Sequence, residues 1–264
     1  MNVIVIGPRG KMGKLITQAA AQREDMILVG GVAPKGRDYV GKDLGQAAML
    51  GENLGKLVYD DLEEIIEDCD VIIDFSTRET SMNVLDAARR HKKALVCGTT
   101  GFSEEERNKF VQAAGEIPIL YAANTSRMVN VMRKLLETAV RLLPEADVEI
   151  LEMHDQWKID APSGTSRELG EAMAKALGKE WEKMAVFGRE GASPREKGTM
   201  GYHSLRAGNI PSSHTVFLGG MGERLEITHH SYNWECFARG ACDCAAFLEG
   251  KPAGYYTIED VIQL

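Results

Sequence analysis

The fold is decided by residues 3–13, Val3-Ile4-Val5-Ile6-Gly7-Pro8-Arg9-Gly10-Lys11-Met12-Gly13, which lead from an apolar run through a glycine-rich turn into a helical pattern. The apolar run predicts a buried strand over Val3–Ile6, and a helix follows from about Met12. Glycines allow a tight turn and a close approach of the backbone, and the helix start offers N–H groups and a positive dipole end to a pyrophosphate. The spacing Gly-x-x-Gly-x-x-Gly is one residue from the commoner dinucleotide fingerprint. Its place after the first strand favours a dinucleotide site over an ordinary strand-to-helix turn.

The first half of the chain continues this alternation of strand and helix. Strands are predicted at Met26–Val32, Val71–Asp74, Ala94–Cys97 and Ile117–Tyr121, and helices at about Leu62–Glu67, Ser81–His91 and Ser103–Ala114. Strands that alternate with helices predict a parallel sheet covered on both faces. The predicted fold class is therefore α/β, with a Rossmann-type dinucleotide-binding domain.

The pattern changes after Asn124. Further strands are predicted at Val148–Glu152, His214–Leu218 and Arg224–His230, after a long helix at about Asn130–Leu143 with an apolar face of Val131, Leu135, Ala139 and Leu142. We predict a second, α+β domain with a mixed sheet over residues 125–232. The final helix, about Trp234–Glu249, is expected to return to the first domain, which would then comprise residues 1–124 and 233–264.

Composition excludes several classes of protein. The 264 residues carry 31 basic and 39 acidic side chains, a net charge of −8, which argues against a nucleic-acid partner. Apolar runs of only a few residues predict no membrane span, and the N-terminus shows no secretion signal. Five cysteines without a disulfide spacing indicate a reducing cytoplasm. Cys242-x-Cys244 has no second ligand pair nearby, so we expect helix packing there and no metal site.

Basic residues stand where a ribose-binding carboxylate is expected, after the second strand. That position reads Ala33-Pro34-Lys35-Gly36-Arg37. Lys35 and Arg37, with Arg9 and Lys11, could meet a 2′-phosphate, which favours NADPH over NADH. A solvated basic surface is the alternative interpretation.

A second set of chemically active residues lies between His154 and Glu168. Thr165-x-x-Glu168 has the pattern of a capping box and predicts a helix start. The N–H groups around Ser163, Gly164 and Thr165 would face an anion such as a substrate carboxylate. Just upstream, in a predicted loop, His154 is a natural proton shuttle near neutral pH, and Lys158 could donate a proton as hydride arrives. A purely structural pair is the alternative.

These segments together resemble the dihydrodipicolinate reductase family over the whole chain. The most specific run is Lys158-x-Asp160-Ala161-Pro162-Ser163-Gly164-Thr165. The other matching segments are Gly7–Gly13, Asp74-Phe75-Ser76, Cys97–Phe102, Ala122-Ala123-Asn124, Gly188–Gly191, Arg206–Ile210 with His214-Thr215, and Gly222–His229.

The resemblance implies a reductase of the diaminopimelate–lysine branch that reduces a cyclic, dicarboxylated imine with NADPH or NADH. It implies a homotetramer built by the second domain. His154 matches the acid/base histidine, Lys158 the proton-donating lysine, and Gly164 and Thr165 the substrate-carboxylate binders. The implied cofactor residues are Gly7, Pro8, Arg9, Gly10, Lys11, Met12, Phe75, Gly98, Thr99, Thr100, Ala122, Ala123, Asn124 and Thr125.

Several positions depart from the family pattern, and they cluster at the implied site. Asp155 stands where the family has a second histidine, and Thr125, Arg127, Met128 and Trp234 also differ. An aspartate about 4 Å from a substrate carboxylate would repel it by about 1 kcal/mol in water. We hypothesise that Arg127 replaces the lost carboxylate partner, with Asp155 as its ion-pair mate.

The departures leave open a related reductase of a different cyclic or unsaturated substrate. A dinucleotide sensor without turnover is a third alternative, and the retained His154 and Lys158 speak against it.

Overall fold

The computed structural model describes residues 1–262. The elements up to residue 127 are β1 (Asn2–Ile6), α1 (Lys11–Ala21), β2 (Ile27–Val32), α2 (Leu44–Ala47), β3 (Val58–Tyr59), β4 (Val71–Asp74), α3 (Arg78–Arg90), β5 (Ala94–Cys97), α4 (Glu104–Ala113) and β6 (Pro118–Tyr121). The middle elements are α5 (Arg127–Leu142), β7 (Asp147–His154), α6 (Gly164–Ala176), α7 (Trp181–Met184), β8 (Ala185–Phe187), β9 (Met200–Arg206), β10 (Ser212–Gly219) and β11 (Arg224–Ser231). The last are α8 (Glu235–Leu248), β12 (Gly254–Tyr256) and α9 (Ile258–Ile262).

The chain divides into two compact units. The first unit comprises residues 1–127 and the chain from Trp234 onward, and the second unit comprises residues 128–233. The sequence places the boundaries at 124/125 and 232/233. Residues 263 and 264 of the predicted first domain lie outside the described residues.

The first unit is a seven-stranded parallel sheet in the order β12-β6-β5-β4-β1-β2-β3. Both faces are buried, because Val3 and Val5 of β1 pack with residues of α1 and α8, while Ile4 and Ile6 pack with residues of α3 and α4. The strand order reverses between β1 and β4, which is the point where α/β sheets open a crevice at the carboxyl ends of their strands. The predicted Rossmann-type architecture is confirmed.

The predicted helix at Leu62–Glu67 is wrong. The segment forms two separate 3₁₀ turns, Leu62–Glu64 and Ile66–Asp68, with Ile65 at φ −132° between them. Six residues make too few hydrogen bonds to offset the cost of nucleating an α-helix, so local capping by Asp61 determines the conformation instead.

The second unit contains a five-stranded mixed sheet in the order β11-β10-β7-β9-β8. β10 is antiparallel to β7 and β11, whereas β9 is parallel to β7 and β8. Residues of α5 and α6 pack with residues of the central strands β7 and β10 to form its core. Strands β8 and β9 have no counterpart among the predicted elements. The mixed-sheet class is confirmed.

The predicted apolar face of α5 is wrong. Leu135 and Leu142 are 53% and 75% exposed, whereas Met132, Leu136 and Val140 are buried. Neighbouring leucines at 135 and 136 give the helix two overlapping apolar stripes, and periodicity alone does not select between them.

Candidate active site

The glycine-rich turn of the first unit has the backbone shape that the sequence predicts. Gly7 adopts φ +66°, and the Gly10 N–H donates to the Gly7 carbonyl at 2.9 Å. A Cβ atom on Gly13 would lie 2.0 Å from that carbonyl oxygen, so only glycine fits at this helix position. Gly10 is the N-cap of α1 and has no side chain with which to cap the first turn, and no acidic residue lies there. The helix start therefore keeps the electrostatics that suit an anion.

A cavity of about 930 Å³ begins at this turn, at the carboxyl ends of β1, β2 and β4. Six of the predicted cofactor residues line it: Gly7, Gly10, Lys11, Met12, Lys35 and Phe75. Arg37 also lines it, as the basic segment after β2 predicts. The lining residues that sequence analysis missed include Tyr39, Asp60, Asp61, Thr77, Thr80 and Asn83. Each of them follows the carboxyl end of β2, β3 or β4 along the chain, and this position is the signal that could have identified them.

Pro8 and Arg9 are not lining residues of this cavity. The Pro8 ring packs closely over Gly31, where a Cβ atom would lie 2.8 Å from the proline Cγ. The Arg9 guanidinium lies over the ring of Tyr39, 5.2 Å from its centroid. Both residues therefore shape the turn and its neighbourhood, and their contact with a cofactor stays a prediction.

The remaining predicted cofactor segments are tied into the first unit mainly by buried polar groups. A Cβ atom on Gly98 would lie 2.0 Å from the Phe75 ring, so this glycine makes room for a cavity residue. The Ser81 hydroxyl donates to Thr99 Oγ1 at 2.9 Å, and the Thr125 hydroxyl donates to the Phe237 carbonyl at 2.7 Å. The cavity lining does not include Thr100 or the run Ala122, Ala123 and Asn124, so cofactor contact of these segments also stays a prediction.

Two of the departures from the family pattern lie near these segments in the first unit. The ammonium of Lys11, in the glycine-rich turn, lies 3.5 Å from the centroid of the Trp234 ring, a cation–π arrangement. Arg127 is exposed at the start of α5 and lines a smaller cavity of about 300 Å³ with Thr125 and Asp243. Its predicted pairing with Asp155 stays a hypothesis.

In the second unit, His154 is the last residue of β7, not a loop residue as predicted, and it is buried. Its Nδ1 lies 2.5 Å from the Oε2 atom of Glu152, which shares its face of the strand two residues earlier. Burial alone would raise the pKa of the Glu152 carboxyl. Hydrogen bonds from His154 and Arg206 outweigh that effect and lower the pKa to about 2. Glu152 is therefore ionised at neutral pH and can only accept hydrogen bonds.

His214 completes the buried cluster, and the sequence analysis gave it no role in the site. It lies directly opposite Glu152 in the β7–β10 pairing, and its ring meets that of His154 edge-on at 5.3 Å. Its Nε2 is 3.0 Å from the Ser163 hydroxyl. Burial and then the charge of His154 lower the pKa of His214 to about 3, so its ring is neutral at physiological pH.

Lys158 lies in the loop after β7, where its ammonium contacts Asp160 Oδ1 at 2.5 Å. That contact, with its charge, lowers the pKa of the Asp160 carboxyl against the opposing effect of burial. Asp155 closes a turn in the same loop by accepting the Trp157 N–H at 2.9 Å. The departure at 155 thus has a local structural use.

The helix start of α6 differs from the predicted capping box. Ser163, rather than Thr165, is the N-cap, since its hydroxyl accepts the Ser166 N–H at 3.1 Å. Thr165 then lies inside the first turn, too late in the helix to cap it. Gly164 and Thr165 occupy the first two helical positions, whose N–H groups do not bond within the helix, and the Gly164 N–H donates to the Asp160 carboxylate. This is the arrangement that suits a carboxylate ligand.

The second unit thus brings together an imidazole, an ammonium group and a helix start. Such a set can bind an anion and supply protons. Within residues 1–262, no three His, Cys, Asp or Glu side chains form a group that could hold a metal ion. In the same range, no helix has both the length and the apolar character needed to cross a membrane.

Comparisons with known proteins agree with both halves of this description. A family model for the N-terminus of dihydrodipicolinate reductase matches residues 1–125, and one for its C-terminus matches residues 128–262. The 4-hydroxy-tetrahydrodipicolinate reductases of Pseudomonas fluorescens and Alkalilimnicola ehrlichii are each 42% identical, over 100% of this chain and 99% of theirs.

Solved structures show the same fold at lower identity. A dipicolinate-bound dihydrodipicolinate reductase from Paenisporosarcina sp. TG-14 superposes with a TM-score of 0.78 at 24% identity, covering 99% of both chains. GenD2 from gentamicin A biosynthesis, in complex with NAD, superposes with a TM-score of 0.64 at 13% identity, covering 99% of this chain and 90% of that one. On the family models and the full-length relatives, the chain belongs to the dihydrodipicolinate reductase family.

Proposed function

We propose that this chain reduces 4-hydroxy-tetrahydrodipicolinate to tetrahydrodipicolinate with NAD(P)H, a step in diaminopimelate and lysine biosynthesis. The observation that carries the proposal is full-length similarity, at 40–42% identity, to curated reductases of this name. The geometry of both units fits the reaction, because it provides an anion-binding glycine turn and a separate set of proton donors.

The enzyme uses a nicotinamide dinucleotide, which supplies the hydride when bound. Gly7, Gly10 and the start of α1 would hold the pyrophosphate, since glycine lets the backbone approach a ligand closely and the N-cap Gly10 has no side chain over the helix end. Phe75 and Met12 offer apolar surface in the same cavity. The proposed role of the first unit is therefore to bind and orient the dinucleotide.

Lys158 and His154 are the proposed catalytic residues. As hydride reaches a ring carbon of the unsaturated imine, an electron pair moves towards the ring nitrogen. The Lys158 ammonium and the His154 ring stabilise that charge and return a proton to the ring. Glu152 accepts from His154 Nδ1, so the proton is exchanged at Nε2.

The substrate carboxylates are assigned to the start of α6. Gly164 and Thr165 would donate backbone N–H groups, and the buried N-cap Ser163 fixes the geometry of that turn. Arg127 and Asp155 remain proposed substrate-site residues. The Asp155 turn and the Thr125–Phe237 hydrogen bond give two of the departures local roles, so the departures do not require a different substrate.

We favour NADPH as the donor. Lys35 and Arg37 lie on the segment that leaves β2 and line the dinucleotide cavity, where their charges would attract a 2′-phosphate. The opposing carboxylate Asp61 is engaged in capping the Glu63 N–H. NADH use with the same apparent affinity would contradict this preference.

A homotetramer in the cytoplasm is the proposed state of the enzyme. Exposed leucines on α5 and an edge strand, β11, give the second unit surface that another copy could cover. The odd number of cysteines fits a reducing compartment. Light scattering of the purified chain tests the tetramer, and a monomeric mass would contradict it.

The function is tested by following loss of the reduced-nicotinamide absorbance with the imine generated in situ. Steady oxidation that depends on the imine is expected from the wild type and from Lys92→Ala, which removes an exposed lysine, and a much lower rate is expected from Lys158→Ala. Oxidation only with another cyclic imine from a panel would indicate the related reductase. Dinucleotide binding without turnover of any panel member would indicate a sensor.

A further inference from the structure

Arg206 ends β9 and pairs in register with His154, the end of the neighbouring parallel strand β7. Its Nη1 donates to Glu152 Oε2 at 2.9 Å and to the Leu205 carbonyl at 2.7 Å. Its Nη2 donates to Glu152 Oε1 at 2.9 Å and to the Asp160 carbonyl at 2.6 Å. Its Nε donates to the Lys158 carbonyl at 3.3 Å. A guanidinium has five N–H donors, so every one of them is used inside the second unit.

We propose that Arg206 is a positioning residue that holds both proton donors at once. It fixes Glu152, and thereby the tautomer and ring orientation of His154, and it fixes the backbone of the loop that carries Lys158. The inference rests on the proposed function of His154 and Lys158, and it adds a residue that has no part in binding or chemistry itself.

The effect on His154 follows from the hydrogen bonds that the Glu152 carboxylate accepts. Arg206 forms a bidentate pair with both carboxylate oxygens, and the Ser163 N–H adds a third donor at 3.3 Å. A carboxylate held in this way stays ionised and cannot donate. The short contact to His154 Nδ1 therefore requires a proton on Nδ1, which leaves Nε2 as the nitrogen that gains and loses the catalytic proton.

The effect on Lys158 follows from the two carbonyl contacts. The loop carbonyls of Lys158 and Asp160 both accept from Arg206, and the Asp160 carboxylate meets the Lys158 ammonium. The guanidinium thus fixes the loop on either side of Ile159, which is fully exposed and contributes no packing of its own. Without these two hydrogen bonds, few other contacts would hold the ammonium in one place.

A substrate-binding role for Arg206 is disfavoured by the same geometry. A donor that bound a substrate carboxylate would have to leave one of its five present acceptors. Lysine keeps the positive charge but offers three donors from a single point, so it cannot span Glu152 and the two loop carbonyls. Arg206→Lys therefore separates charge from positioning.

The test compares wild type, Arg206→Lys, Arg206→Ala and Glu152→Gln, with Arg224→Lys as the matched control, because Arg224 forms an exposed ion pair in the same unit. We expect kcat to fall about tenfold for Arg206→Lys and about a hundredfold for the other two, with KM changed less than about threefold, since positioned proton donors contribute on this scale. Guanidinium salt at low concentration should partly restore Arg206→Ala, and methylammonium should not. The control should retain wild-type values.

A second readout does not depend on turnover. Nitrogen NMR of histidine-labelled protein should show His154 as the Nδ1–H tautomer in the wild type. In Glu152→Gln and Arg206→Ala it should show a mixture of the Nδ1–H and Nε2–H tautomers. Wild-type resonances of the His203 and His230 rings, which lie in the same unit, show in the same spectra that the second unit of each variant is folded. Wild-type kcat with an unchanged His154 spectrum in Arg206→Lys and Arg206→Ala would overturn the inference, as would a change confined to KM. If the wild type fails to reduce the imine, the proposed function fails, while the NMR result still decides whether Arg206 positions His154.

Discussion

The two units build their sites from different parts of the chain. In the first unit, the site is mostly backbone: a glycine turn, a helix start and the ends of adjacent parallel strands. In the second unit, the site is a network of side chains, in which Glu152, Arg206 and His214 come from three different strands. A backbone site depends on which residues leave space, whereas a side-chain network depends on which residues supply protons and charge. Substitutions in the two units should therefore separate dinucleotide binding from chemistry.

The largest expected effect is on turnover, from the second unit. His154→Ala and Lys158→Ala should each lower kcat about a hundredfold or more, equivalent to about 2.7 kcal/mol, because each removes a proton donor. Dinucleotide affinity, measured by calorimetry, should stay at the wild-type value. Near-wild-type turnover in both variants would show that neither residue takes part in the chemistry and would contradict the proposed difference between the units.

The next effect is on binding, from the first unit. Gly13→Ala places a Cβ atom against the Gly7 carbonyl, so the turn must shift. We expect a loss of about 2 kcal/mol in the free energy of unfolding and a rise of about tenfold in the dinucleotide Kd. Gly219→Ala is the control, since its Cβ atom would meet only ordinary contacts at 3.7 Å. Equal dinucleotide affinities for the two variants would contradict the backbone interpretation.

The pH dependence of stability sharpens the comparison further. The pKa of His214 is about 3 in the folded chain, against an ordinary value of 6.5, so the unfolded chain binds the proton more tightly between these values. Stability should therefore fall as pH falls from about 6.5 towards 3, by at most about 1.4 kcal/mol per pH unit from this group. His214→Gln should flatten that slope in denaturant titrations. A slope unchanged in His214→Gln would show that the ring is not held neutral.

The smallest expected effect concerns the choice of dinucleotide. Lys35→Ala and Arg37→Ala should each raise the KM for NADPH about fivefold and leave that for NADH nearly unchanged, equivalent to about 1 kcal/mol of charge attraction near the surface. Parallel KM measurements with both dinucleotides provide the check. Equal changes for both would assign these residues to the shared part of the cofactor or to the solvated surface.

The same contrast explains what could be predicted from sequence. The strands of the first unit are short apolar runs, and the glycine turn is local, so eleven consecutive residues predict the anion-binding turn of that site. The helix start at Ser163 is also a local feature, although the sequence pattern predicted the cap at Thr165, two residues too late. The network around His154 could not be predicted, because Arg206 and His214 lie more than fifty residues away along the chain and the strand β9 gave no clear signal. The buried face of α5 was ambiguous for a similar reason, since only the tertiary packing selects Leu136 over Leu135.

The division of labour between the units is tested most directly by one double variant, His154→Ala/Lys158→Ala, assayed for both NADPH affinity and imine-dependent NADPH oxidation. Calorimetry should give the wild-type Kd, while oxidation should fall at least as far as in the more impaired single variant. A lost dinucleotide affinity, or oxidation at the wild-type rate, would contradict the assignment of dinucleotide binding to the first unit and proton donation to the second.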